Sequence, residues 1–291
     1  MSSGTSKELL AKYEQNLINS ENKNHYAGYA KKFLDYADNL DKETIDSYMK
    51  KLTREKKSAG TINFAFRVIR RLFAVNELDW PYSQGQAPQI SERDEYKPAL
   101  DPEIIKLMIE ATKDGRLDDD SAYFLALSTI YGLRRGEMVE LKSGDIDFAS
   151  GTIFISTLKN GRQRYHLIPM EIKPYLERRN FERQYDLTQV SQVFWRIINK
   201  SGLEALRTNG LKLGWHSIRR SLLAGLMDNG LNPFAARVFL RWKGVTGELA
   251  MPARYYASTV IGLKGNKVVS EEAKGDKEVF EKYHPFLKFW G

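Results

Sequence analysis

A single stretch without helical periodicity, residues 80–100, divides this chain of 291 residues. The stretch reads WPYSQGQAPQISERDEYKPAL, and its clustered proline, glycine, glutamine and serine residues are typical of a linker. Apolar residues recur at helical spacing on both sides of it, so two helical segments must each bury an apolar face. We therefore predict an N-terminal helical domain over residues 1–82, a linker over 83–100, a second domain over 101–270 and a C-terminal tail over 271–291.

Four helices with short connections are predicted before the linker. Taken alone, they indicate a plain helical bundle. After the linker, Asp101 is a candidate helix cap and Pro102 suits the first helical turn, so a helix restarts there. The apolar stripes of the first four helices lie within residues 9–17, 26–36, 45–52 and 62–73.

The second domain combines helices with one predicted β-hairpin. Alternating, β-branched residues over 151–156 and again over 164–168 flank an Asn-Gly turn. The fold class expected is mainly α with a small antiparallel β-sheet. Aromatic residues of the tail must be buried on this subunit or on another. Helical periodicity covers residues 102–113, 119–131, 171–181, 189–200, 216–229 and 232–241.

Composition excludes several classes of function. The chain has no cysteine and four histidines, and none of the histidines is paired at metal-ligand spacing. No glycine-rich phosphate loop of the Walker or Rossmann kind occurs, so we expect chemistry without a cofactor, a metal or ATP. The first residues lack the apolar core of a signal peptide and no segment has the apolar length of a membrane span. We therefore expect a cytoplasmic protein.

Two motifs suit contacts with an anion. Arg134 follows an apolar segment and precedes Glu137 by three residues, which also fits an ordinary salt bridge at a helix end. His216 and Arg219 are likewise three residues apart, at the predicted start of a helix whose free amides attract anions. Each motif alone is compatible with a purely structural role.

Positive charge is concentrated in two places. Lys159 lies at the hairpin turn with Arg162 and Arg164 beside it, although such a basic tip is often only solvated. Between residues 190 and 220, six basic residues face a single acid, which indicates nucleic acid more strongly than the net charge of +8. The six are Arg196, Lys200, Arg207, Lys212, Arg219 and Arg220.

The order of these motifs resembles the catalytic series of the tyrosine recombinases, the integrase family. In that family the first arginine lies in a Gly-x-Arg-x-x-Glu motif, matched here by Gly132, Arg134 and Glu137. A lysine occupies a β-hairpin turn, as Lys159 does. The first 80 residues resemble the family's helical core-binding domain, so the resemblance covers most of the chain.

The second half of the series also matches. A His-x-x-Arg motif begins a helix, as His216 and Arg219 do, and a histidine or tryptophan follows at Trp242. The nucleophilic tyrosine comes shortly after, and Tyr256 is preferred to Tyr255 because Tyr-Ala-Ser resembles the family's Tyr-x-His.

Three departures from the family pattern stand out. Arg241 occupies a position where glycine is usual, and Trp242 replaces the commoner histidine while keeping an N–H donor. The segment from Trp242 to Tyr256 is longer than is typical, and Tyr255 competes for the nucleophilic role.

The resemblance implies a role for each matched residue. Arg134 and Arg219 would bind the non-bridging oxygens of the scissile phosphate, and Trp242 would assist them. His216 would take the proton of Tyr256, and Lys159 would protonate the leaving 5′ oxygen. Glu137 would support Arg134. Contacts with DNA are expected from Arg162, Arg164, Arg220 and Lys243.

The implied partner is a double-stranded DNA recombination site. A homotetramer would exchange strands on it through 3′-phosphotyrosine and Holliday-junction intermediates, and a monomer in solution is compatible with this. The alternatives are a type IB topoisomerase, a catalytically inactive DNA-binding factor of the same fold, and a helical interaction module. The many lysines and glutamates and the absence of cysteine are compatible with a hot-growing archaeal source or its mobile element or virus.

Overall fold

The computed structural model describes residues 5–17, 23–83, 98–157, 163–208, 212–242, 261–264 and 267–291. Over residues 261–264 and 267–274 it describes the backbone alone. The chain forms two compact units, Met1–Tyr96 and Lys97–Gly291. The division between them falls within the predicted linker.

The described residues of the first unit form four helices, as its periodicity predicts. The Asp41 carboxylate accepts a hydrogen bond from the amide of Thr44, and Ser58 caps the fourth helix in the same way. Phe33, Ile45 and other apolar residues on facing stripes form a core of its own. The helices are α1 (Ser6–Asn16), α2 (Lys23–Leu34), α3 (Lys42–Arg54) and α4 (Ala59–Val75).

The second unit is mainly helical, and the predicted fold class is confirmed. Asp101 caps its first helix and Pro102 occupies the first turn, as expected. The described helices are α5 (Pro102–Lys113), α6 (Asp119–Tyr131), α7 (Arg135–Glu140), α8 (Lys173–Glu177), α9 (Leu187–Lys200), α10 (Trp215–Asp228), α11 (Pro233–Phe239), α12 (Glu271–Glu278) and α13 (Leu287–Trp290).

Helix α6 lies at the centre of the second unit. Every residue from Ser121 to Tyr131 is buried, because α6 is apolar all round and packs against α8, α9 and α10. Ser221 of α10 also donates a hydrogen bond to the carbonyl oxygen of Leu100, which fastens the start of the unit to this core.

A three-stranded antiparallel sheet lies beside the helices. It has the order β1 (Ile146–Asp147), β2 (Thr152–Ile155) and β3 (Arg164–Leu167), so the predicted hairpin gains a short third strand. Ile153 is paired with His166, and these two residues share the buried face of the sheet. A second antiparallel pair joins β4 (Ile261–Lys264) and β5 (Lys267–Ser270).

The C-terminal tail is packed within the second unit. Phe286 is fully buried, and Trp290 donates from its indole nitrogen to the hydroxyl of Thr129 on α6 at 3.1 Å. His284 contacts the same helix through the carbonyl oxygen of Ile130. Phe286 and Trp290 are thus buried on their own subunit, which is one of the two placements expected from the sequence. Aromatic anchors near the chain end fill gaps around α6, which accounts for this placement.

None of the helices in the described part of the chain is long and apolar enough to cross a membrane.

Candidate active site

The turn between α6 and α7 presents Arg134. Gly132 ends α6 in the left-handed region with φ 59°. A Cβ atom on Gly132 would lie 2.9 Å from Cδ2 of Leu240, so glycine is favoured both by conformation and by close packing. Arg134 then adopts an extended conformation at the start of α7, and its side chain is 27% exposed.

Glu137 is the buried partner of Arg134. Its Oε1 accepts from Nη1 of Arg134 at 2.6 Å, and its Oε2 accepts from the backbone amide of Arg134 at 2.8 Å. Burial opposes ionisation of this carboxyl group, but the charges of Arg241 and Arg134 and the amide hydrogen bond hold its pKa below the usual value. Glu137 is therefore a carboxylate that holds both the backbone amide and the guanidinium of Arg134.

Arg241 contacts Glu137 from the opposite side. Its side chain is fully buried, and its Nη2 donates to Oε2 of Glu137 at 3.1 Å. Nη1 of Arg241 donates to the carbonyl oxygen of Tyr131 at 3.1 Å. The residue lies at φ 57°, in the left-handed region that favours glycine, so an arginine is conformationally unfavourable at this position.

A neutral histidine joins Arg241 to helix α12. Nη1 of Arg241 lies 3.1 Å from Nε2 of His166, and Nδ1 of His166 lies 2.8 Å from Oδ2 of Asp276 on α12. Because a guanidinium only donates, Nε2 must accept and Nδ1–H must donate to the carboxylate. Burial lowers the pKa of His166 to about 4, which agrees with the neutral form.

The prediction that Arg164 contacts DNA is wrong. It is 6% exposed, and its Nη2 donates to Oδ1 of Asp276 at 2.7 Å. Side chains alternate along a strand, so Arg164 shares the buried face of β3 with His166, whereas Tyr165 points outward and is exposed. A buried, ion-paired guanidinium holds the sheet to α12 and does not face a polyanion.

The start of α10 brings His216 and Arg219 to the same place. Arg219 is buried, and its two Nη atoms donate to the carbonyl oxygens of Gly132 and Leu240. Burial and the charges of Arg241 and Arg134 lower the pKa of Arg219 to about 9. His216 lies on the first turn of α10, and part of its side chain is exposed to solvent. Arg219 therefore connects the Gly132 turn to the end of α11.

The neutral form of His216 is favoured by its surroundings. Partial burial lowers its pKa, and the positive charges of Arg219, Arg220, Arg134 and Arg135 lower it further. A neutral imidazole can accept a proton, so His216 suits the role of a base beside a cluster of cations.

Trp242 covers Arg219. The centroid of its indole ring lies 5.6 Å from Cζ of Arg219 and 5.7 Å from Cζ of Arg237. The half-buried ring contributes a cation–π contact to each guanidinium. The predicted residues Arg134, Arg219, His216 and Trp242 thus form one cluster.

A basic cavity of about 310 Å³ opens next to His216. The Nη1 atom of Arg135 donates to the hydroxyl of Ser191 at 2.6 Å across its wall. None of the described lining residues is acidic, so the cavity suits an anionic ligand. Its charged and aromatic lining consists of Arg135, Trp195, Lys212, His216 and Arg220, together with Phe194 and Trp215.

A shallower depression adjoins this cavity through Trp195. It is lined by three of the six basic residues singled out in the sequence, namely Arg196, Lys200 and Arg207. The two depressions share Trp195 of α9, and basic residues of α9 and of the start of α10 are among their lining residues. Clustered basic side chains of this kind suit the binding of nucleic-acid phosphates.

Five of the predicted site residues lie outside the described residues. They are Lys159, Arg162, Lys243, Tyr255 and Tyr256.

Sequence reasoning did not identify the buried partners of the site. Asp276 and His166 are 110 residues apart, so their spacing does not indicate that they are in contact. Arg241 was noticed only as a departure from a pattern. Its signal in the sequence is a charged residue two positions after the helix that ends at Phe239, where an unpaired charge is costly.

Comparisons with known proteins identify the family of the chain. Residues 98–259 match the family described as "Phage integrase family". Tyrosine recombinase XerA from Pyrococcus furiosus is 25% identical over 220 residues, which cover 71% of this chain and 74% of that protein.

Two solved structures of lambda integrase share the fold. The dimer bound to a COC' core site has a TM-score of 0.64 at 15% identity and covers 82% of this chain and 96% of the other. The tetramer bound to a Holliday junction has a TM-score of 0.62 at 18% identity, with coverages of 92% and 81%. With the family match over more than half of the sequence, these findings confirm the predicted resemblance: the chain belongs to the phage integrase family and is a site-specific recombinase of the tyrosine type.

Proposed function

We propose that this recombinase breaks and rejoins DNA at a specific site by transesterification through Tyr256. The tyrosine oxygen forms a bond to the scissile phosphorus and the bond to the 5′ oxygen breaks, which leaves a 3′-phosphotyrosine and a free 5′ hydroxyl. The phosphodiester energy is retained in the adduct, so the reverse reaction with a new 5′ hydroxyl rejoins the strand.

One observation carries the proposal: in the described residues, a cluster of arginines around the buried carboxylate of Glu137 lies beside His216, whose side chain is exposed. Arg134 and Arg241 share the carboxylate of Glu137, whose charge also acts on Arg219. Arg219 has N–H donors beyond the two that it gives to carbonyl oxygens. Such a surplus is costly unless an anion compensates it. A phosphate with developing negative charge fits this requirement.

The proton transfers are assigned to two residues. The hydroxyl of Tyr256 would lose its proton to His216, whose lowered pKa keeps the imidazole neutral. Lys159 would give a proton to the departing 5′ oxygen. Trp242 would complete the phosphate site through its indole N–H while it covers Arg219.

The DNA duplex would lie along the basic surface of α9 and α10. Arg220 and Lys212 line its cavity, and an acid-free lining supports contacts with the phosphate backbone. Arg162 and Lys243 are proposed as further DNA contacts, and the first unit as a second DNA-binding domain, which the linker would connect to the catalytic one. We propose that the protein assembles as a homotetramer on a Holliday junction, and the shared fold of the lambda integrase tetramer supports this assembly. We also propose that it acts in the cytoplasm.

Trapping of the covalent adduct tests the reaction. A library of randomised duplexes with a nick just beyond the cleaved position lets the short fragment with the free 5′ hydroxyl diffuse away, so that adducts resistant to SDS accumulate. Tyr256→Phe should abolish the adduct, and Tyr255→Phe, the matched control, should retain it. Loss with Tyr255→Phe alone would move the nucleophile to Tyr255. The absence of any adduct with the unmodified chain would support an inactive DNA-binding factor.

The role of Lys159 needs a separate test. Lys159→Ala should slow adduct formation much more than it weakens DNA binding. A substrate with sulfur in place of the bridging 5′ oxygen should restore the rate, because a thiolate leaves without a proton. Equal losses in binding and cleavage, without restoration by sulfur, would show that Lys159 only binds DNA.

A further inference from the structure

A buried series of polar side chains connects helix α12 to Arg134. Asp276 of α12 binds His166 at 2.8 Å, His166 binds Arg241 at 3.1 Å, and Arg241 binds Glu137 at 3.1 Å. Glu137 in turn binds Arg134 at 2.6 Å. We propose that Asp276, His166 and Arg241 form a relay that positions Glu137 and, through it, Arg134 for contact with the scissile phosphate.

Each step of the relay has a defined direction. The amide of Leu167 donates to Oδ2 of Asp276 at 3.1 Å, which leaves this oxygen fixed as the acceptor for Nδ1–H of His166. Nε2 of the same ring is then an obligatory acceptor for Arg241. Reversal of one hydrogen bond would leave two donors facing each other, so the relay has a single arrangement.

Arg241 is held in a conformation that favours glycine. A residue at φ 57° with a large side chain persists only where its contacts compensate the strain. Within the described residues, the contacts of its Nη atoms are internal: Glu137, His166 and the carbonyl oxygens of Tyr131 and Phe239. The side chain is therefore placed to orient Glu137 and does not itself bind DNA.

Burial distinguishes the relay from a surface ion pair. The side chains of Glu137, Arg241, His166 and Asp276 are at most 2% exposed. Solvent screens exposed pairs strongly, but removal of one member of a buried pair leaves an uncompensated charge that shifts its neighbours. Arg134 is the exposed end of the relay, and its side chain is 27% exposed. A displacement of the buried members would therefore move the guanidinium of Arg134.

This role rests on the proposed function, because its readout is cleavage. Asp276→Asn keeps the shape of the side chain and removes its charge. With the duplex selected by covalent trapping, it should slow single-turnover adduct formation by about tenfold or more, because small misplacements of a catalytic group have such effects. The dissociation constant for DNA should change by less than about twofold, since the positioning role acts on the transition state.

A matched pair of variants at position 241 separates charge from shape. Arg241→Lys and Arg241→Met have side chains of similar length and bear the same left-handed backbone strain. The lysine should restore a large part of the cleavage rate because it keeps a cation beside Glu137. The methionine should behave like Asp276→Asn or worse. Equal rates for the lysine and methionine variants would overturn the relay.

General destabilisation is controlled with Asp120→Asn. Asp120 is also a largely buried carboxylate, and it binds Arg179 at 2.6 Å and Tyr185 at 2.6 Å without contacting the relay. Asp120→Asn should lower the melting temperature comparably and leave the cleavage rate within about twofold. A similar loss of cleavage in both asparagine variants would indicate a merely structural role for Asp276.

Coupling to Arg134 gives the decisive measurement. In an Arg134→Lys background, Asp276→Asn should slow cleavage by less than about a further twofold, because its effect passes through the residue already replaced. Multiplying effects would overturn the relay. An unmodified chain that forms no adduct would overturn the proposed function itself, and an unmodified chain that reacts no faster than Asp276→Asn would overturn the relay alone.

Discussion

The guanidinium of Arg219 donates a hydrogen bond to the carbonyl oxygen of Gly132, the residue that ends α6 in a left-handed conformation. This contact joins the two arginine motifs of the sequence, which are 87 residues apart in the chain. The carbonyl groups at a helix C-terminus carry partial negative charge, so they stabilise a buried guanidinium there. The end of α6 is thus the element that holds Arg219 and places Arg134 two residues further on.

Gly132→Ala should destabilise the second unit and impair cleavage together. Its Cβ would meet Cδ2 of Leu240 at 2.9 Å and Cγ of Arg219 at 3.3 Å, and alanine is strained at φ 59°. We expect a loss of about 1–3 kcal/mol in the free energy of unfolding, measured with urea. Gly151→Ala is the matched control, since Gly151 also has positive φ but open space around it. Equal losses in stability would show that packing against Leu240 contributes nothing.

Lys212→Ala should weaken DNA binding and flatten its salt dependence. Lys212 is exposed beside the acid-free cavity, and removal of one phosphate-binding charge should reduce the slope of log affinity against log salt by about 0.9. Arg164→Ala should instead lower the melting temperature and leave that slope unchanged, because Arg164 is buried against Asp276. Fluorescence anisotropy at several salt concentrations measures both slopes. A reduced slope for Arg164→Ala would contradict its buried placement.

Local patterns in the sequence predicted most of the fold. Apolar periodicity identified the four helices of the first unit, and the Asp101-Pro102 pair located the start of α5. These features depend on neighbours within a few residues, so they can be read from the sequence. Helix α7, with six residues, is too short for a periodic signal.

The candidate site was predicted from the order of its motifs, and its interior was not. Arg164 was grouped with a basic hairpin tip, although alternation along β3 assigns it to the same face as His166. Asp276 and Arg241 act through contacts that span more than 70 residues, and a single sequence carries no signal for such pairs. The structure was needed to place a charged network inside the unit.

The rate of adduct formation should fall at acid pH with a midpoint below the ordinary histidine value of about 6.5. Partial burial and the neighbouring arginines lower the pKa of His216, so its neutral, proton-accepting form persists to lower pH. Single-turnover rates between about pH 4.5 and 7.5 measure this limb. His216→Gln should remove it. A midpoint above 6.5, or a limb that survives the substitution, would exclude His216 as the base.

The stability of the second unit should also decrease below pH 6.5, for a different reason. Burial lowers the pKa of both His166 and His284 to about 4. In the unfolded chain these groups bind protons near pH 6.5, whereas the folded form excludes them until about pH 4. The stabilising contribution is thus present above pH 6.5 and is lost as the pH falls toward 4, at about 1.4 kcal/mol per pH unit for each histidine.

His284→Gln should reduce this acid sensitivity. Nδ1 of His284 accepts hydrogen bonds from the amides of Phe286 and Leu287, and Nε2–H donates to Ile130, so a proton on Nδ1 would break two contacts. Glutamine cannot take up that proton. Although the variant should be less stable at pH 7.5, its free energy of unfolding should fall less steeply between pH 6.5 and 5, by about 1.4 kcal/mol per pH unit. Urea titrations at several pH values measure the slope. An unchanged slope would mean that His284 binds protons equally in the folded and unfolded chains. That result would contradict the buried contacts of its ring with α6 and α13.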